Sequence, residues 1–203
     1  MTGKRAEKRD GLRQRLIDIT ERHMAERGLA ALRARDITSE AGCALGAIYT
    51  VFDDLDMLIL EVNARTLRRL DLHMSEAVAV TTDPGEQMHI LSRTYLQFAR
   101  TDANLWWALF QFQMADGKHV PDWYAHDQAR VLAQIIRPLK GLQPDLTDEQ
   151  VLIRARTLFG AVHGIVSISL ESRFVGVPGA TLDTELSRFI DLLLAGLPAM
   201  KGT

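Results

Sequence analysis

The chain of 203 residues has one cysteine, six prolines and no long uncharged segment. The single cysteine, Cys43, cannot form an internal disulfide, and such cysteine usage is typical of a reducing cytoplasm. The longest nearly uncharged run, residues 158–170, is too short to span a bilayer. The N-terminus lacks the apolar segment of a secretory signal. We therefore expect a cytoplasmic protein with no membrane partner.

Patterns that would indicate catalysis or metal binding are also missing from the sequence. The histidines do not have the H-x-x-x-H or H-E-x-x-H spacing of metal ligands. Ser167 and Ser169 lack the glycine pattern of a nucleophile elbow, and no glycine-rich loop for phosphate occurs. We expect no catalytic residues, no metal site, no cofactor and no enzymatic activity. A small helical enzyme remains as an alternative.

Charge is distributed unevenly along the chain. Residues 1–35 contain ten lysines and arginines against five acidic residues, whereas the whole chain has a net charge of −2. A basic end on an acidic body is the distribution expected when one end of a protein meets phosphate. The alternative interpretation is a solvated, helix-promoting N-terminus.

The apolar residues recur with the period of α-helices, and no alternating run is long enough to indicate strands. The prolines lie at breaks between these segments, and Thr147-x-x-Gln150 forms a capping box that predicts a helix start. The sequence therefore predicts an all-α protein of about nine helices. Their expected ranges are 10–27, 35–41, 45–52, 54–79, 84–100, 104–115, 122–139, 147–174 and 182–197.

The most informative segment contains two short amphipathic stretches, residues 35–41 and 45–52, separated by Gly42-Cys43-Ala44. Gly42 stands where a helix ends in a left-handed residue, a conformation that glycine adopts without steric cost. Two short helices joined by a glycine turn are the arrangement of a DNA-binding helix-turn-helix.

The segment resembles the DNA-binding domain of the tetracycline-repressor (TetR) family of transcription regulators. The residues that carry the resemblance are Arg35, Ile37, Ala41, Gly42, Gly46, Ile48, Tyr49, Phe52 and Leu58. The resemblance implies a three-helix DNA-binding domain over residues 1–54. Residues 55–203 would then form a helical domain that binds an effector and dimerises.

The resemblance also implies which residues meet DNA. They comprise the exposed side of the second short helix, two arginines before it and a mobile basic arm: Leu45, Gly46, Ala47, Tyr49 and Thr50; Arg33 and Arg35; and Lys4, Arg5, Lys8 and Arg9. Leu45, Ala47 and the Thr50 methyl group suit thymine methyl groups, so we expect several T·A pairs in the operator.

Several positions depart from the family pattern. Arg33 and Ala44 replace the usual capping Thr or Ser, Leu45 replaces a Lys, and residues 53–55, Asp-Asp-Leu, replace Lys-Ser-Lys. Positions that usually carry a cation for phosphate are therefore apolar or acidic. The alternative that follows is a helical ligand-binding or interaction protein that has kept the fold and lost DNA binding.

The C-terminal part contains two groups of candidate residues. Residues predicted to bind an apolar or amphipathic effector are Trp106, Trp107, Phe110, Met114, Phe159 and His163. Residues predicted at a dimer interface are Gly160, Gly164, Leu186, Phe189, Ile190 and Leu193. The tryptophans with the His163-Gly164 pair resemble a C-terminal domain type named for its Trp and His-Gly motif. The alternative interpretation is that the tryptophans are core residues and that His163 is a hydrogen-bonded core residue.

Together these features predict a homodimeric regulator, most simply a ligand-responsive repressor. Its partners would be a near-palindromic double-stranded DNA operator and a small effector, and the two copies would follow from the two half-sites that such motifs read.

Overall fold

The computed structural model describes residues 2–115, 118–171 and 175–197, except for the side chains of residues 2 and 4. Over these residues the chain forms eight α-helices and no strand. They are α1 (Thr2–Arg27), α2 (Ala34–Glu40), α3 (Leu55–Val78), α4 (Pro84–Thr101), α5 (Ala103–Gln111), α6 (Asp122–Leu142), α7 (Asp148–Leu170) and α8 (Leu182–Gly196). Two 3₁₀ helices, Leu29–Ala31 and Leu45–Thr50, complete the set. The all-α prediction is confirmed.

Several helix limits differ from the predicted ones; α6, for example, ends at Leu142 and not at residue 139. The first helix begins at Thr2 and not near residue 10, because the charged residues that precede residue 10 are good helix formers. The segment predicted as the third helix is a 3₁₀ helix that ends at Thr50. Helix α5 ends at Gln111, four residues before the predicted end. The predicted end of the long helix at residue 174 lies outside the described residues.

The chain divides into two compact units. The first is built from the described parts of residues 1–67 and 102–125, and the second from those of 68–101 and 126–203. Helix α3 supplies residues to both units, and α5 groups with the N-terminal helices. The domain boundary predicted between residues 54 and 55 stays a prediction.

The first unit has a core made by the inner sides of α1, α2, the 3₁₀ helix, the first half of α3 and α5. Its buried side chains include Leu16, Met24, Ile37, Ile48, Leu58 and Leu105. Burial of each large aliphatic side chain contributes about 1.5–3 kcal/mol. Around this core Arg65 pairs with Asp18 at 2.7 Å and with Glu21 at 2.9 Å, which joins α3 to α1.

In the second unit α4 packs against α7 and α8, and these two helices pack against each other. Helix α7 begins at the predicted capping box, with Gln150 N donating to Thr147 Oγ1 at 3.3 Å. Helices α3 and α6 are joined by polar side chains. The buried Asp71 accepts from Arg130 Nε at 2.9 Å and from Gln134 Nε2 at 2.6 Å.

Candidate nucleic-acid interface and cavity

The turn between α2 and the 3₁₀ helix has the geometry that its glycine predicts. Gly42 has φ +66°, and Cys43 N donates to Thr38 O at 3.0 Å, which closes the end of α2. An alanine here would adopt a left-handed conformation that side chains disfavour. The chain therefore leaves α2 sharply and re-enters a helix at Leu45.

The 3₁₀ helix Leu45–Thr50 has one buried and one open side. Ile48 lies in the core of the first unit, as does Phe52 just beyond the helix. Leu45 is 42% exposed and Tyr49 61% exposed; Gly46 and Thr50 are also exposed, and Ala47 is half-buried. The predicted reading residues therefore share a solvent-facing surface.

Neither short helix begins with a side-chain cap. The N-cap residues, Arg33 of α2 and Ala44 of the 3₁₀ helix, make no side-chain capping hydrogen bond. A capping Ser or Thr contributes about 1 kcal/mol to a helix. The missing cap and Gly46 both disfavour an α-helix over residues 45–50, which form a 3₁₀ helix.

The two predicted phosphate-binding arginines differ in their surroundings. Arg33 Nη1 donates to Ala30 O and to Leu32 O, each at 2.9 Å, so its guanidinium folds over the chain before α2. Arg35 is exposed in the first turn of α2. Both cations therefore lie beside the start of α2.

The predicted mobile basic arm is wrong as regards its conformation. Arg5, Lys8 and Arg9 lie in helix α1 with exposed side chains. The side chain of Lys4 lies outside the described residues. A helical end cannot enter a minor groove as an extended arm does, because its backbone is closed by its own hydrogen bonds. Its exposed cations can still lie along phosphates.

The second unit contains a small, almost purely apolar cavity of about 30 Å³. Its lining comes from α3, α4, α6, α7 and α8: Met74, Met88, Leu91, Ser92, Tyr95, Ile135, Leu158, Phe159, Val162 and Ile190. A water molecule needs roughly 10–15 Å³ of such space, so the cavity as it stands holds at most a few waters. Sequence reasoning missed this wall, although the 3-and-4 spacing of Met88, Leu91 and Tyr95 on α4 could have indicated it.

Tyr95, His163 and Phe159 form a polar and aromatic group at the cavity. The Tyr95 hydroxyl lies 2.8 Å from His163 Nδ1, and the Phe159 ring stacks on the imidazole at 5.8 Å between centroids. Burial lowers the pKa of His163 below its ordinary value, since it disfavours the charged form. The imidazole is half-buried and hydrogen-bonded to Tyr95, and its lowered pKa favours the neutral form.

The residues predicted to bind an effector do not all come together. Trp106 is fully buried in the first unit, where it contacts the rings of Trp107 and Phe110 at 4.6 and 5.5 Å. Met114 follows the end of α5. Phe159 and His163 belong to the second unit. Of the predicted set, Phe159 lines the cavity and His163 bonds to its wall.

The residues predicted at the dimer interface differ in how far they are buried within their own chain. Leu186 and Ile190 are buried in the core of their own chain, so the prediction that they meet a partner is wrong for these two. Phe189 and Leu193 are half-buried. Gly160 and Gly164 have nothing within 4 Å of an added Cβ. Three exposed apolar residues on these helices were not predicted at an interface: Ile153 and Ile168 on α7, and Leu192 on α8.

Helix α7 is long and apolar enough to cross a membrane by length and composition, with 22% of its apolar window buried. The uncharged run noted in the sequence, residues 158–170, covers only part of this helix and therefore did not indicate it. Core helices of soluble proteins pass the same test, so one such helix is weak evidence for a membrane span. Among the described residues, no three His, Cys, Asp or Glu side chains come together as metal ligands.

Comparison with known proteins supports this architecture. A protein of unknown function from Rhodococcus sp. RHA1 has a similar structure, with a TM-score of 0.74 and 20% identity over 91% of this chain and 94% of that one. The TetR family transcriptional regulator PfmR from Thermus thermophilus gives a TM-score of 0.60 and 15% identity over 90% and 98%. RolR in complex with resorcinol gives 0.64 and 22% over 90% and 95%. No curated protein matches significantly in sequence.

At these sequence identities the structural likeness shows only the fold. The family itself is shown by a match to a family model. Residues 88–193, just over half of the chain, match the family described as "Tetracyclin repressor-like, C-terminal domain". The helix-turn-helix and the helical second unit agree with it. The chain therefore belongs to the tetracycline-repressor (TetR) family, whose members are DNA-binding transcription regulators and not enzymes.

Proposed function

We propose that this regulator is a cytoplasmic homodimer that represses transcription from a near-palindromic operator and releases it on binding a small effector. The observation that carries the proposal is the two-sided 3₁₀ helix. Ile48 lies in the core, while the residues exposed to solvent are Leu45, Gly46, Tyr49 and Thr50. A helix of this size enters the major groove of B-DNA.

The chemistry of the exposed side favours apolar readout. Thr50 Oγ1 donates to Ala47 O at 2.7 Å, so its hydroxyl hydrogen is used within the helix. Leu45, Ala47 and the Thr50 methyl group then meet thymine methyl groups, and the Tyr49 hydroxyl donates to a phosphate. Arg33, Arg35 and the exposed cations of α1 supply the other phosphate contacts.

Footprinting on the DNA upstream of the protein's own gene tests this proposal. We expect a protected near-palindrome rich in T·A pairs, with half-sites about one helical turn apart. Repeating the measurement at about 50 and 200 mM salt gives the number of phosphate contacts from the slope. Arg33→Ala with Arg35→Ala should lower that slope. A protein that protects no DNA at either concentration would instead be the ligand-binding or interaction protein that has lost DNA binding.

A second copy of the chain is the expected partner for the open side of α7. Ile153, Thr157, Gly160, Gly164 and Ile168 follow one another at spacings of three and four residues, so they form one stripe along this helix. Ile153 is 57% exposed, and Leu192 on α8 is 74% exposed. Such apolar area is costly in water and is covered in oligomers. The glycines would let the partner's helix come close.

The effector site is proposed at the cavity of the second unit. Met74 and Met88 are flexible side chains that adapt to different shapes, and the lining offers few polar groups. The ligand is therefore small, largely apolar and equipped with one group that bonds to Tyr95 or Ser92. Because the present cavity holds only a few waters, binding must enlarge it.

The ligand's higher affinity for the conformation with the enlarged cavity would supply the switching energy. A ligand shifts an equilibrium only by its difference in affinity for the two conformations, typically 1–3 kcal/mol in allosteric proteins. Helix α3, which supplies residues to both units, is the proposed connection.

Calorimetric titration with resorcinol, the ligand in the RolR structure, and with other small phenols tests the site. Val162→Phe should fill the cavity and abolish both binding and operator release, while operator binding without ligand is retained. A variant that responds to the ligand like the wild type would exclude this cavity.

A further inference from the structure

Lys118 is bound at the start of α3, although it follows Asp54 by 64 residues in the sequence. Its Nζ donates to Asp54 Oδ2 and, at 3.3 Å, to Asp56 Oδ2. The same Asp56 oxygen accepts from Ala115 N at 3.3 Å. The segment after α5 is therefore fastened to the first turn of α3 by a charged side chain and a backbone group, all within the first unit.

The contact lies just after the proposed DNA-reading helix in the sequence. The 3₁₀ helix ends at Thr50, and Asp53, Asp54 and Asp56 follow within six residues. We call these three residues the acidic corner. Asp54 also caps α3, because its Oδ1 accepts from Met57 N at 2.9 Å. Without a cation nearby, the corner would bring three negative charges beside the proposed DNA-reading helix.

We propose that Lys118 is a positioning residue for DNA binding, which pairs with Asp54 and Asp56 and so reduces the repulsion between the acidic corner and the phosphates. The inference rests on the proposed function. A distant segment thus supplies a cation at a place where the local sequence supplies acids.

The exposure of these side chains favours an electrostatic role over a structural one. The Lys118 side chain is 40% exposed and those of Asp54 and Asp56 are 28% and 23% exposed. Ion pairs of this kind contribute little to stability. Their field, however, reaches charges within a Debye length of about 8–10 Å, which includes DNA held against the 3₁₀ helix.

The test compares full-length variants by fluorescence anisotropy on two duplexes, one carrying the footprinted sequence and one unrelated duplex of the same length. The variants are Lys118→Ala, Lys118→Arg and the triple variant Lys118→Ala with Asp54→Asn and Asp56→Asn. Asn remains an efficient N-cap, so the triple variant keeps α3 capped. Lys140→Ala is the matched control, because Lys140 forms an exposed ion pair with Asp148 in the second unit. Thermal melting confirms that each variant folds.

We expect Lys118→Ala to weaken binding to both duplexes by about three- to tenfold at low salt, and less at high salt. Lys118→Arg and Lys140→Ala should bind like the wild type. The triple variant should recover most of the loss, since the uncompensated acids are gone. Unchanged binding by Lys118→Ala would overturn the inference. So would a triple variant that stays weak, because Lys118 would then contact phosphate directly. A wild type that binds neither duplex would overturn the proposed function as well.

Discussion

Replacing Gly160 and Gly164 by alanine should have opposite effects on the single chain and on the dimer. Both glycines lie inside α7, and an added Cβ at either position meets nothing within 4 Å. In an isolated chain each replacement removes the helix penalty of glycine, about 0.5–1 kcal/mol. The double variant should therefore stabilise the monomer by about 1–2 kcal/mol.

The dimer should respond in the other direction if this stripe meets a second copy. Each methyl group then enters a packed contact, and overpacking typically costs about 1–3 kcal/mol per site. Since about 1.4 kcal/mol is a factor of ten in an equilibrium constant, the dimer Kd should rise at least tenfold.

Two measurements separate these effects. Sedimentation equilibrium gives the dimer Kd, and urea unfolding at concentrations below that Kd gives the stability of the monomer. Gly11→Ala is the matched control, because Gly11 lies in α1 and its added Cβ also meets nothing within 4 Å. It should stabilise the chain as each single α7 replacement does and leave the dimer unchanged. A double variant that dimerises as tightly as the wild type would refute the assignment of this stripe to the interface.

Three further predictions concern the second unit. The pKa of His163 is lowered in the folded protein, so as the pH falls through about 6.5 the unfolded chain binds a proton at this residue before the folded chain does. The free energy of unfolding should therefore fall below that pH, and His163→Asn should reduce this fall in urea unfolding. Gly141→Ala should destabilise the protein by about 1–3 kcal/mol, measured by thermal melting, because the new Cβ would lie 2.8 Å from Pro84 Cγ. Asp71→Ala should cost about 1–3 kcal/mol in the same assay, since it leaves the buried Gln134 without its acceptor while the exposed Arg130 can bond to water.

Local signals predicted much of the fold. Gly42 fixed the turn through its left-handed conformation, and Thr147 with Gln150 fixed the start of α7, because each effect acts within a few residues. Ile48 and Phe52, two of the residues that carry the family resemblance, are buried in the core of the first unit.

Properties that depend on distant contacts could not be predicted in the same way. Trp106 and Phe159 both lie on apolar helices, and periodicity does not tell which unit each helix joins. Leu186 and Leu192 both look suitable for an interface, yet α4 and its neighbours cover only the first. The ion pair of Lys118 joins residues far apart in sequence, and no spacing rule connects them.

The 3₁₀ form of residues 45–50 also limits how much sequence information one half-site can hold. A 3₁₀ helix rises by about 2.0 Å per residue and repeats every three residues, so side chains in one row stand about 6 Å apart. Base pairs are stacked about 3.4 Å apart along a strand. One row, Ala47 and Thr50, therefore addresses roughly every second base pair. Operators for this regulator should consequently tolerate variation at alternating positions, and related promoters could diverge there without losing recognition.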